Sequence, residues 1–251
     1  MIFLLDDPNN LLSLVDSEDE QDEKVVFGPP TQKDSSSILM KFAIFQQAED
    51  SADGLIQLLK INLGTSMNTG AAMKTRKNIC RILVNRGVLL ERTGKFEMAL
   101  ETYLQAKTFD PYSLSVEFGI GTLKLYLGDI QEGMKRLGRV RAVCPSHISA
   151  RINLSVGHLY GDNTKEARVL LNEIQKEAPE NGHAYTNMAV ALAIDGEHAL
   201  ATEQYTSSIT RLASHAPLYV HRGRMMAKGK RMHESMIDFA TAAYIDPAIN
   251  F

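Results

Sequence analysis

The residues best suited to metal ligation or nucleophilic catalysis are seven histidines and two cysteines. His147, His158, His183, His198, His215, His221 and His233 include no i, i+4 pair, the spacing that sets two imidazoles on one helix face. Cys80 and Cys144 lie 64 residues apart. That excludes a disulfide framework and a cysteine-based zinc cluster, and it fits a reducing compartment. Cys144 and His147 straddle Pro145, but a metal there would need two more ligands, so the pair reads as an ordinary loop. Gly119-Ile120-Gly121 falls inside a predicted helix, where its glycines are packing contacts rather than a phosphate loop. No catalytic constellation emerges. An enzyme is not expected, and neither is a cofactor or a bound metal.

The elements that would carry any function come from the rest of the 251 residues, 44% of them apolar and 23% charged. That balance folds into a sizeable core. A net charge of −3 supplies no electrostatic reason to expect nucleic acid. No apolar run approaches the roughly 20 residues of a membrane span, so no membrane insertion is expected. A cytoplasmic location is expected, with a ciliary or other organelle-associated complex as the alternative. The charge is uneven. Residues 1–35 hold nine acids and two bases, a net of −7, which leaves +4 on the other 216. This reads as an acidic disordered or extended arm on a mildly basic body.

The body repeats. Pro111, Pro145, Pro179 and Pro247 fall at intervals of 34, 34 and 68. Five gapless blocks follow: 80–113, 114–147, 148–181, 182–215 and 216–249. Their eighth places are small (Gly87, Gly121, Ser155, Ala189, Gly223), as are their twentieth (Ala99, Gly133, Ala167, Ala201, Ser235). Their twenty-fourth places are bulky: Tyr103, Leu137, Leu171, Tyr205 and Phe239. Small residues let two helix axes approach, and the large residue four places on fills the gap between hairpins. Turns are marked by Gly94, Gly128, Gly161-Asp162-Asn163, Gly196 and Gly229. Glycine after the first helix is expected to supply a left-handed cap. One hairpin cannot bury its own apolar stripe, so stacked copies must build the core.

This pattern resembles the tetratricopeptide repeat family, most clearly in LVNRGVLLERTGKFEMALETYLQAKTFDP (83–111). The resemblance implies an all-α fold, a right-handed α-solenoid of stacked antiparallel hairpins. The family's frequent tryptophan in the fourth place is replaced by Leu83, Glu117, Arg151, Tyr185 and Tyr219, a departure expected to change little. The resemblance also implies which places face a concave groove. The sixth holds Asn85, Gly119, Asn153, Asn187 and His221, and an asparagine ladder of that kind can hold an extended peptide backbone. Asparagine is also frequent there in any such repeat. The basic clamp of the family's chaperone-tail binders is absent. Phe118, Tyr126, Ile152 and Tyr160 suggest instead an apolar and aromatic trough, or packing between repeats. Lys135, Arg136, Arg139 and Arg141 read as a solvated face. A second basic group, Arg222, Arg224, Lys228, Lys230 and Arg231, could attract an acidic partner or the chain's own arm, with Arg224 and Lys228 on the groove side.

Residues 36–79 read as N-terminal helices, a possible degenerate repeat and linker, with one long helix over 71–92. The last helix carries Met236, Ile237, Phe239, Ala240, Ala243 and Ile245, a face expected to be covered by a partner or another copy, or by further sequence if the chain is a fragment. The function expected is a non-catalytic protein–protein interaction scaffold or adaptor, a subunit of a larger assembly. The alternative is a soluble peptide receptor that holds an extended or helical segment in its groove. Protein partners are expected in either case.

Overall fold

In a computed structural model the described residues are 53–57, 60–61 and 69–249. The acidic arm and most of the expected degenerate hairpin lie outside them. From Thr69 to Ile245 the described residues form ten helices, and among the described residues there is no strand. They fall into two compact units that divide between Val143 and Cys144.

The first unit contains α1 (Thr69–Arg92), α2 (Phe96–Phe109), α3 (Leu114–Tyr126) and α4 (Ile130–Val143). α1 packs on α2 and α3 on α4, with further contacts from α3 to α1 and α2. The close approaches follow the small and large columns. The Tyr103 ring of α2 is wedged between Gly87 of α1 and Gly119 of α3. A Cβ at Gly87 would sit 2.5 Å from that ring, and one at Gly119 2.7 Å. α3 and α4 meet where Gly121 faces Leu137 and Gly133 faces Leu125. Around these contacts Ile79, Leu83, Leu90, Ala99, Ala106, Val116, Ile120 and Leu123 close one apolar cluster, which also takes in Ile56.

The second unit contains α5 (Ile148–Tyr160), α6 (Thr164–Glu177), α7 (Gly182–Ile194), α8 (His198–Ile209), α9 (Ala216–Lys228) and α10 (Met232–Ile245). They pack as three hairpins, with α7 and α9 each lying against the hairpin before it. Two starts are capped by side chains: His147 Nδ1 accepts from the Ala150 amide, and Asn181 Oδ1 from the Ala184 amide, each at 3.2 Å. His147 therefore serves as a helix cap beside Cys144.

All five hairpin turns use one device. The amides of Lys95, Asp129, Asn163, Glu197 and Arg231 donate to the carbonyls of Leu90, Lys124, His158, Leu192 and Met226 at 2.8–2.9 Å, the six-to-one bond of a Schellman turn. The residue before each donor is left-handed. In three turns it is glycine; in the others it is Asp162 (φ 54°) and Lys230 (φ 62°). This corrects the expectation for those two turns. Gly161 and Gly229 have ordinary φ of −88° and −79° and stand one residue too early.

Candidate protein interface

The fourth place of the hairpin, expected to matter little, is where each unit concentrates its charge. In α3 Glu117 is buried and accepts from Lys107 and, at 3.2 Å, from Arg136; Arg139 completes the group at 3.7 Å. In α5 Arg151 is buried and donates to both oxygens of Glu177 and, at 3.2 Å, to Glu173. The Glu177 bond holds the Arg151 guanidinium more firmly charged, and Arg151 in turn holds Glu177 below the usual carboxylate range. Arg139 and Glu173 both occupy the twenty-sixth place of their repeats. Successive repeats thus bridge the same two places with the charges exchanged. In the last two hairpins the fourth place is aromatic and still meets a guanidinium. Arg211 lies 4.0 Å over the Tyr185 ring, and Arg222 5.7 Å from the Tyr219 centroid.

These pairings reassign residues read from sequence as free charge. Arg136 is not part of a solvated face, because its guanidinium is held by Glu117 and Glu132. Arg222 is fully engaged by the buried Asp238, with bonds of 2.8 and 2.7 Å. Arg231 is bound to Glu234. Glu91, which sequence reading missed altogether, is buried at the end of α1 beside the Tyr103 hydroxyl. Burial pushes its carboxyl up to about 7, with the Tyr103 bond pulling the other way.

The groove residues fare unequally. Asn85 and Lys228 are exposed, and Tyr126, Tyr160, His221 and Arg224 are half-buried. Phe118 and Asn187 are almost closed off, and Ile152 and Asn153 have no exposed surface at all. The ladder is therefore not open in this structure. In two repeats the sixth place lies at the seam with the preceding hairpin: Gly119 abuts the Tyr103 ring, and His221 stacks on Tyr205 with centroids 5.8 Å apart. Tyr126 packs against Phe96 at 4.2 Å. Phe118 and Tyr126 belong to the first unit and Ile152 and Tyr160 to the second.

An apolar surface that stays open is on α10. Met236 is 67% exposed, Ile237 53% and Tyr244 86%, with Met232 beside them. Phe239 is half-buried, whereas its four equivalents Tyr103, Leu137, Leu171 and Tyr205 are at most 2% exposed. Among the described residues no group of His, Cys, Asp and Glu could hold a metal ion, and no helix is long and apolar enough to cross a membrane.

Paired helices, a six-to-one turn every 34 residues and a small-to-large wedge between neighbours define a stacked helical-hairpin repeat. A family model for the tetratricopeptide repeat matches residues 81–113, the first of the five blocks, so the chain contains a tetratricopeptide repeat. Protein CTR9 homolog of Arabidopsis thaliana is 25% identical over 199 residues, which is 78% of this chain and 17% of that protein. The chain therefore spans a minor part of that relative's length. Among solved structures, MamA 41-end from Desulfovibrio magneticus RS-1 superposes with a TM-score of 0.57 at 17% identity, over 74% of this chain and 100% of that one. The MamA RS-1 ArsTM double mutant gives 0.57 at 17% identity, over 73% and 98%. These likenesses are of fold. The repeat fold is one of protein-interaction scaffolds, in families that are generally non-catalytic.

Proposed function

We propose that the chain is a non-catalytic scaffold or adaptor that works as a subunit of a larger assembly and docks protein through the outer face of α10. The observation that carries this is the row Met232, Met236, Ile237 and Tyr244, all well exposed. The row is not a property of the repeat. One repeat earlier the same places are His198, Thr202, Glu203 and Thr210. An apolar row of this kind on one helix face is what a protein partner desolvates. A peptide receptor would have to work with Asn85, Tyr126, Tyr160, His221, Arg224 and Lys228, because the centre of the ladder is closed.

The test is affinity purification of the full chain together with its mass in solution by light scattering. The scaffold reading expects stoichiometric partner proteins, or self-association, that is lost in Met236→Glu/Ile237→Glu while the helical melt is kept. A monodisperse monomer with no stoichiometric partner overturns it.

A further inference from the structure

α4 carries Lys135, Arg136, Arg139 and Arg141 against one acid, Glu132. Its inner side is occupied by Gly133, Leu137 and Val140, and Arg136 is turned to Glu117 and Glu132. On the outside, Gln131, Lys135, Gly138 and Ala142 follow one another at helical spacing, with Arg139 at the edge. Lys135 and Arg139 are exposed, and their carboxylate contacts are long, 3.7 Å each. Screened contacts of that kind hold a charge weakly.

Gly138 is the unusual member of the row. Glycine inside a helix is unfavourable unless something needs the missing side chain. Gly87, Gly119, Gly121, Gly133 and Gly223 have that reason, since a Cβ at any of them would meet a neighbour at 3.0 Å or closer. A Cβ at Gly138 would meet nothing within 4 Å. A bare strip of backbone flanked by Lys135 and Arg139 is suited to the close approach of an extended acidic chain.

We propose that the acidic segment Asp16-Ser17-Glu18-Asp19-Glu20-Gln21-Asp22-Glu23 of this same chain lies across Lys135, Gly138 and Arg139 on α4. Six of its eight residues are acids, opposite in charge to this face. The basic group at the last hairpin is the weaker site, because Asp238 and Glu234 already hold Arg222 and Arg231. The contact is a self-occupied acidic-segment site, which an external acidic segment would have to displace.

Zero-length carbodiimide coupling of the full chain at low salt tests this directly, read by mass spectrometry of the monomer band. The expected product joins a carboxylate of residues 16–23 to the Lys135 amine, and its yield falls several-fold at high salt as screening shortens. Coupling found only in a dimer band, or to Lys228 or Lys230 and not Lys135, overturns the proposal. As a second readout, full-chain Lys135→Gln/Arg139→Gln should be cut after Glu18, Glu20 and Glu23 by a Glu-specific protease several-fold faster than the parent at low salt, and equally fast at high salt. Equal rates at low salt overturn it too.

Discussion

The two units build the same hairpin with opposite charges in the fourth place of successive repeats, Glu117 and Arg151. In the first the buried ions are carboxyls: Glu117 among three cations, and Glu91 against Tyr103. In the second they include the guanidinium of Arg151, which closes onto Glu173 and Glu177. The backbone path is common to both, because the small and large columns that set it are common to both. In both units the fourth place reaches the second helix, and its charge is opposite to that at the twenty-sixth place.

The largest expected effect tests that exchange. Glu117→Arg in the first unit would crowd a fourth cation against Lys107, Arg136 and Arg139 and should cost about 3–5 kcal/mol. Adding Arg139→Glu gives the first unit the polarity of Arg151 and Glu173 and should recover part of the loss. Chemical denaturation of the single and double variants measures both. A double variant no better than the single one would show that the two bridges are not equivalent.

A second difference lies in the response to pH. Glu91 is held up to about 7, so between about 4.5 and 7 the folded carboxyl keeps a proton that the unfolded one has lost. Stability of the first unit therefore falls as pH rises through that window. In the second unit His183 runs the other way. Burial, helped by His215, lowers it from 6.5 to about 4. The unfolded imidazole takes up a proton first, and stability is lost as pH falls from 6.5 towards 4. Acidification from pH 7.5 to 5.5 should thus increase hydrogen-exchange protection in α1 and α2 and reduce it in α7. Glu91→Gln should flatten the first response and, at pH 8, stabilise by on the order of 2–3 kcal/mol. A parallel response in both units would break the contrast.

The third effect is steric. Gly87→Ala would drive a methyl into the Tyr103 ring, which Gly119 holds from its other side, and should cost about 1–3 kcal/mol. Ala201→Leu, in the α8 column that matches Gly133 and Ala99, should cost a similar amount. Thermal melts compare the two units on one scale.

The columns were legible in the sequence because each rests on side-chain size alone, which a single position displays. Glu117 and Arg139, and Arg151 and Glu173, were not. A charge seen by itself reads as a solvated one, and the fourth place seemed merely to have lost its tryptophan. The available signal was the exchange of sign in two columns of neighbouring repeats. The burial of Asn153 and Asn187 in the asparagine column was hidden for a related reason. The column contains Gly119, which has no side chain to hydrogen-bond a ligand, and that glycine was the clue that in this repeat the sixth place packs against Tyr103. Glu91 could have been found from its column, because the same place in the other four repeats holds Leu125, Leu159, Ala193 and Ala227, and Leu125 and Leu159 are buried.

The smallest effect concerns the turns, where both units have the same hydrogen bonds but different residues in the left-handed position. Gly94 and Gly128 supply it in the first unit, with φ of 73° and 87°. In the second only Gly196 does, beside Asp162 and Lys230. A left-handed L-residue costs about 1–2 kcal/mol, and glycine gives back roughly 0.5–1 kcal/mol of that in unfolded-state entropy. Lys230→Gly should therefore stabilise by about 0.5–1 kcal/mol, raising Tm by a few degrees at most. Asp162→Gly should gain less, because aspartate tolerates this conformation better than lysine does. Gly94→Ala in the first unit should lose about 1 kcal/mol, although a Cβ there would meet nothing within 4 Å, so crowding cannot be the cause. Melting curves of the three variants separate backbone conformation from packing. If Lys230→Gly is neutral or destabilising while Gly94→Ala is harmless, the turns are held by their neighbours, and the left-handed residue is a consequence of the hairpin instead of one of its determinants.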